Sequence, residues 1–173
     1  MLIDLTGFAG DCLIHGRLDL RMERLTDQLN AEARLDLVDV VLEGLHDGLR
    51  VAVPSFTVER ADLCAVRADG PRGARRLRVA TTPHRLQAQI GPYTVLGRLH
   101  SKPGMESMGA IGDREAMVPF TGATIAYVVG GILEVRDVST LIINRELASW
   151  LRDAETSAPD GRPRAMRIAG PNG

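Results

Sequence analysis

Residues 11–20 alternate between two faces. Cys12, Ile14, Gly16, Leu18 and Leu20 fall on one side, and Leu13, His15, Arg17 and Asp19 on the other. A period of two belongs to a half-buried strand. GPYTVLGRL, from Gly91, repeats the pattern with Tyr93, Val95, Gly97 and Leu99 inward. A glycine at the same inward place in both segments predicts a sharp bend or a close backbone approach. MERLTDQLNAE sets Met22, Leu25 and Leu29 at helical spacing, which predicts one short helix ending near Asn30. LDLVDVVLEGL predicts an aliphatic strand. Asp47-Gly48 then signals a tight hairpin, and LRVAV is the return strand, which Pro54 ends. FTVERADLCAV supplies one or two further strands. FTGATIAYVV, Gly130-Gly131, ILEV and STLIINRELASWL predict the same series later in the chain. Residues 145–154 read as strand, with helix as the alternative. KPGMESMGAIGDRE, interrupted by Pro103, Gly104, Gly109 and Gly112, reads as a loop.

These segments form a collinear series. Gly10, Ile14 and the triplet Gly16-Arg17-Leu18 match Gly91, Val95 and Gly97-Arg98-Leu99 at an offset of 81. Asp47-Gly48 matches Gly130-Gly131 at 83, and Arg60 and Arg67 match Arg145 and Arg152 at 85. Order is kept while the offset drifts slowly, as a duplication with small loop insertions requires. The expected fold is therefore mainly β, as two tandem copies of a small, strongly bent antiparallel sheet or Sm-like barrel, with one short helix in the first copy. Residues 1–70 form the first repeat, 71–78 an Arg-rich linker, 79–155 the second repeat and 156–173 an extended tail. A unit of about 75 residues buries only roughly 60% of the surface of its unfolded chain. Each copy is thus expected to dock on the other, on another chain, or on both.

The same residues resemble a known fold family. Gly16, Leu18, Asp27 and Asn30 are similar to the first motif of the Sm/LSm small β-barrels, and Val58, Arg60 and Leu63 to the second. RLTDQLN, from Arg24, and INR, from Ile143, more closely resemble an uncharacterised bacterial family of small β-barrel domains with R-L-S-D-x-L-N and V-N-R motifs. That resemblance implies a fold and no activity.

Composition narrows the function classes. The 173 residues carry a net charge of −1, so no global field draws the chain to nucleic acid or anionic lipid. Aromatic residues are 3% of the chain, too few to supply a platform of stacked bases. Two cysteines without a CxxC pair argue against a disulfide scaffold or zinc cluster and fit a reducing cytoplasm. MLIDLTGFAGD has no basic start and does not read as a signal peptide. ATIAYVVGGILEV is too short to span a bilayer.

No complete catalytic, cofactor or metal motif is present. Cys12 and His15 are three apart on a strand and so point to opposite faces. His15, His46, His84 and His100 make neither HxH nor HExxH. GMESMG has one residue too many before Ser107 for a nucleophile elbow. Met105, Met108 and Ile111, with Met166 and Ile168 in the tail, are the candidate partner-binding residues, because methionine packs against irregular partners. Arg72, Arg75, Arg76 and Arg78 are candidates for phosphate contact. Trp150 is assigned to core or interface, and Gly130-Gly131 to a hairpin. Three readings follow: a non-enzymatic assembly or adaptor module that self-associates or binds a protein, an Sm-like nucleic-acid binder, and an enzyme of unidentified class. The first is preferred because small barrels expose pairing edges.

Overall fold

A computed structural model describes residues 1–68 and 80–154. The linker and tail assignments lie outside the described residues. Five strands precede residue 69: β1 (Leu2–Ala9), β2 (Cys12–Asp19), β3 (Arg34–Gly44), β4 (Arg50–Glu59) and β5 (Leu63–Ala68). Helix α1 (Leu25–Ala31) lies between β2 and β3. Five more follow: β6 (Thr82–Ile90), β7 (Tyr93–Ser101), β8 (Met117–Val129), β9 (Ile132–Asn144) and β10 (Ala148–Asp153). Helix α2 (Ser107–Gly112) lies between β7 and β8. Short 3-10 turns, Arg60–Asp62 and Arg145–Leu147, lead into β5 and β10.

All ten strands join one antiparallel sheet in the order β10-β6-β7-β8-β9-β5-β1-β2-β3-β4, and the sheet is not closed. The first five strands run β5-β1-β2-β3-β4 and the last five β10-β6-β7-β8-β9. Strand β9 pairs with β5 and makes the two sets continuous.

The bends fall at matching places. The β2–β3 ladder shifts between His15 and Arg17, and the β7–β8 ladder between Leu96 and Arg98. Gly16 and Gly97 sit at those shifts. A Cβ on Gly16 would lie 3.0 Å from Val40 Cγ2, and one on Gly97 would lie 2.9 Å from Phe120 Cβ. Strands thus approach closely where the sequence left out a side chain.

The core comprises two clusters that exchange residues. One contains Leu86, Ile90, Tyr93, Val95, Phe120 and Leu141, and takes in Phe8, Leu13, Leu45 and Ala65 from the first five strands. The other contains Leu5, Ile14, Leu29, Leu37 and Leu63, and takes in Met117 and Ile142. Phe8 meets Tyr93 and Tyr127 edge-on, with ring centroids 5.4 and 5.8 Å apart, and the Tyr93 hydroxyl donates to the Ala9 carbonyl at 2.5 Å.

Three expectations change. The segment read as a loop over 102–115 contains α2. Ser107, Ala110 and Ile111, at helical spacing, are buried along one side, so packing outweighs the cost of Gly109 and Gly112. Among the described residues there are therefore two α-helices. Pro54 does not end its strand. It lies in the edge strand β4 where the ladder steps from Val38–Ser55 to Val40–Val53, and the missing N–H removes no rung there. Strands β1 and β6 were not anticipated. Residues 148–153 are strand.

Candidate assembly surface

At the β5–β9 junction Ala65 lies opposite Ile143, and Val66 opposite Ile142. Strand β5 also pairs with β1, so it has neighbours on both sides and Leu63 through Val66 are all buried. The junction is pinned by amides. Asn30 accepts from the Met117 N–H at 2.9 Å and donates to the Met117 carbonyl at 3.0 Å. Asn144 donates to the Arg60 carbonyl at 3.4 Å and accepts from the Glu146 N–H, which starts the turn into β10.

Arg60 and Arg145 do similar work. The Arg60 guanidinium donates to the carbonyls of Leu29 and Asn30, at 3.5 and 2.8 Å, and so binds the last turn of α1 to the end of β4. The Arg145 guanidinium donates to the carbonyls of Arg114 and Glu115, at 2.8 and 3.0 Å, in the segment after α2. Both are satisfied by backbone, and a cation near carbonyls left over at a helix end is favourable.

Among the described residues, strands β4 and β10 each have a neighbour on one side only. On β10, Trp150 is 39% exposed and the Arg152 guanidinium lies 4.8 Å from its ring centroid. On β4, Val51 is exposed, while Val53 and Phe56 sit half-buried against the margin of a core cluster. Pro54 offers no donor, so the stretch able to extend a ladder is Phe56–Glu59. A third apolar area lies on the β8–β9 hairpin. There Val128 is directly opposite Leu133 and Ala126 opposite Val135, and Val128, Leu133 and Val135 are all at least half exposed.

Two clefts complete the surface. One, of about 560 Å³, lies between Asp11, Leu45 and His46 on one side and Pro92, Tyr127 and Leu133 on the other. The second, of about 360 Å³, is polar and includes Thr6, His15, Arg17 and Asp39. Within it Arg17 pairs with Asp39, and His15 Nε2 lies 3.3 Å from Glu43. Neither cleft contains His84 or His100. His84 bonds Ser101 at 2.8 Å, and His100 bonds Thr121 at 2.7 Å.

Asp19, read as facing solvent beside His15, holds the terminal amine at 2.6 Å, which pulls its carboxyl below the ordinary range. Cys12 is half-buried and Cys64 buried, and burial pushes both thiols up, Cys12 to about 11 with help from Asp11. Ser107 is buried in α2. Among the described residues no group of three or more His, Cys, Asp or Glu side chains is placed to hold a metal ion. No helix among them is long and apolar enough to cross a membrane.

The partner-binding candidates separate. Ile111 is buried, Met105 packs half-buried against the core, and Met108 is exposed. Met166, Ile168, Arg72, Arg75, Arg76 and Arg78 lie outside the described residues. The sequence reading missed Val128, Leu133 and Val135. In β8 the signal was the apolar run Ile125–Val129, which makes both faces apolar rather than one. In β9 Leu133 and Val135 alternate with Glu134 and Arg136, and it is the apolar positions that are exposed.

No family model, curated protein or solved structure matches the chain.

Proposed function

We propose that the chain consists of two copies of one five-stranded unit and works as a non-enzymatic assembly or adaptor protein, binding protein partners through its free sheet edges. The observation that carries this reading is the strand order. Each set of five runs in the same sequence, the two meet at β9 and β5, and among the described residues the strand at either end has one open edge. The glycine bends and the paired arginines support the duplication. An unpaired edge is a template for another chain, and the outward apolar area around Val128 and Leu133 adds burial beside it. The resemblance to Sm-like barrels belongs to the same reading. Two unpaired thiols favour a reducing compartment such as the cytoplasm.

Sedimentation tests it, on the purified chain at micromolar concentration and on the chain in a native cell extract. A species heavier than one chain is expected in at least one, and Trp150→Lys, a charge at an exposed edge position, is expected to reduce it. A chain that sediments as a monomer in both overturns the proposal.

A further inference from the structure

The inner junction is a worked example of what the outer edges lack. It seats the fourth strand of one set against the fifth strand of the other. Among the described residues, the two strands left without a second neighbour are the fourth of the first set, β4, and the fifth of the second, β10. We infer that the occupant of each free edge is a second copy of this chain, with β10 of one molecule paired antiparallel to β4 of the next in the register of the β5–β9 junction. This rests on the duplication and assembly reading above.

The register follows from the repeat offset of 85 that relates Arg60 to Arg145. Ala65 and Val66 correspond to Trp150 and Leu151, and Ile143 and Ile142 to Val58 and Thr57. The inner pairs Ala65–Ile143 and Val66–Ile142 thus become Trp150 opposite Val58 and Leu151 opposite Thr57 between molecules. Burial supports this. Ala65 and Val66 are fully buried, whereas Trp150 is 39% exposed and Leu151 half-buried. On the other side, Leu141 is fully buried while its counterpart Phe56 is only half-buried. Trp150, Leu151 and Phe56 are therefore short of the cover that their inner counterparts have, while Val58, like Ile143, is already buried within its own molecule. Pro54 lies outside the two rungs and does not obstruct them.

The outer joint differs in chemistry. Beside the inner junction, Phe8, Leu13 and Cys64 enter the neighbouring core. Their counterparts are Gln89, Thr94 and Ser149, which bond among themselves: Thr94 to Gln89 at 2.8 Å, and Ser149 to the Gln89 carbonyl at 3.2 Å. A face that must meet water before assembly keeps polar groups satisfied, and its affinity is concentrated in the large side chains. Here those are Trp150 and Leu151, set against Val58 and Thr57 of the next molecule, with Phe56 next to Val58 on the same face of β4. The contact is head-to-tail, since different patches meet, so copies add in one direction until a ring closes or a chain grows.

The tests use the full chain. Cysteine pairs Thr57→Cys with Leu151→Cys, and Val58→Cys with Trp150→Cys, are oxidised, since directly opposite residues have Cβ atoms close enough for a disulfide. At least tenfold more linked chains are expected from one of these pairs than from either single variant, or from Ala52→Cys with Leu151→Cys, which is out of register. Trp150 is the only tryptophan, so its emission is expected to move to the red on dilution as the edges separate. An assembling protein that neither cross-links in this register nor changes emission overturns the inference and leaves the assembly reading standing. A chain that is monomeric when pure but heavy in extract also overturns it, because the occupant is then another protein.

Discussion

Asp39 and Gly122 share a backbone φ of +51°, each at the point where the third strand of its set skips a rung of the ladder. Above Asp39 sits Arg17, its ion-pair partner, and above Gly122 sits Arg98, whose Nη1 is 3.5 Å from where a Cβ would stand. Left-handed backbone suits glycine and is tolerated by aspartate. Gly122→Ala is therefore expected to lose about 1–2 kcal/mol, and Gly122→Asp less, because Arg98 is in place to meet the new carboxylate. Asp39→Gly relieves the strained backbone and gives up an exposed ion pair, for a net change within about 0.5 kcal/mol. Urea titration of the three variants checks the order, and equal losses for Ala and Asp at position 122 would contradict it.

Gly97 marks a different constraint, that of space. A methyl group there meets the Phe120 side chain at 2.9 and 3.0 Å and Ala123 at 3.2 Å, all in the core. Gly97→Ala is expected to destabilise by roughly 1–3 kcal/mol through overpacking. Gly10→Ala, with nothing within 4 Å of the new atom, is expected to leave the thermal midpoint almost unchanged. The difference between the two midpoints is the measurement.

Asn30 holds residues from the two ends of the fold together through both polar atoms of its amide. Asn30→Ala strands the Met117 N–H and carbonyl, and is expected to lose about 2–3 kcal/mol. Asn30→Asp keeps the acceptor and loses the donor, so a smaller loss is expected. Equilibrium unfolding in urea separates the two, and a loss for Ala of under about 0.5 kcal/mol, the level of an ordinary surface change, would show that the clamp contributes little.

The thiols set an alkaline limit. An unfolded thiol ionises near 9, whereas folded Cys12 stays protonated to about 11 and folded Cys64 is also shifted upward. Above pH 9 the unfolded chain releases protons that the folded chain retains, so stability is complete below 9 and falls as pH rises toward 11. Urea midpoints at pH 8 and pH 10.5 are expected to show that fall, and Cys12→Ser with Cys64→Ser to reduce it. Iodoacetamide at pH 8 is expected to label the folded thiols many times more slowly than the unfolded ones, since the thiolate is the reactive form. Equal labelling rates would contradict the burial.

Strands with strict alternation were legible in part. In β7 the inward Tyr93, Val95 and Leu99 are buried, and in β2 Ile14 and Leu18 are, but Leu13, assigned to the outer side, is buried in the neighbouring core while Cys12 is only half-buried. Strands β1 and β6 carried the same kind of signal, in Ile3 and Leu5 and in Leu86, Ala88 and Ile90. Helix α2 was illegible for a physical reason, because its glycines argue against a helix locally and only burial of Ala110 and Ile111 supports one. Among the candidate contact residues, alternation could not tell Ile111, which is buried, from Met108, which is not.

From residues alone came the period-two strands, the hairpin turns, the spacing of Gly16 and Gly97 and of Arg60 and Arg145, and the absence of any assembled catalytic motif. These are local properties, since side-chain alternation and turn chemistry depend on near neighbours in the chain. Only the tertiary structure decided that all ten strands share one sheet, that β9 seats on β5, and that β4 and β10 are left without a second neighbour. Those outcomes depend on which strands meet across long sequence separations. The residues of β4 and β5 read alike as strand, and whether such a residue is buried or exposed is set by the strand placed beside it.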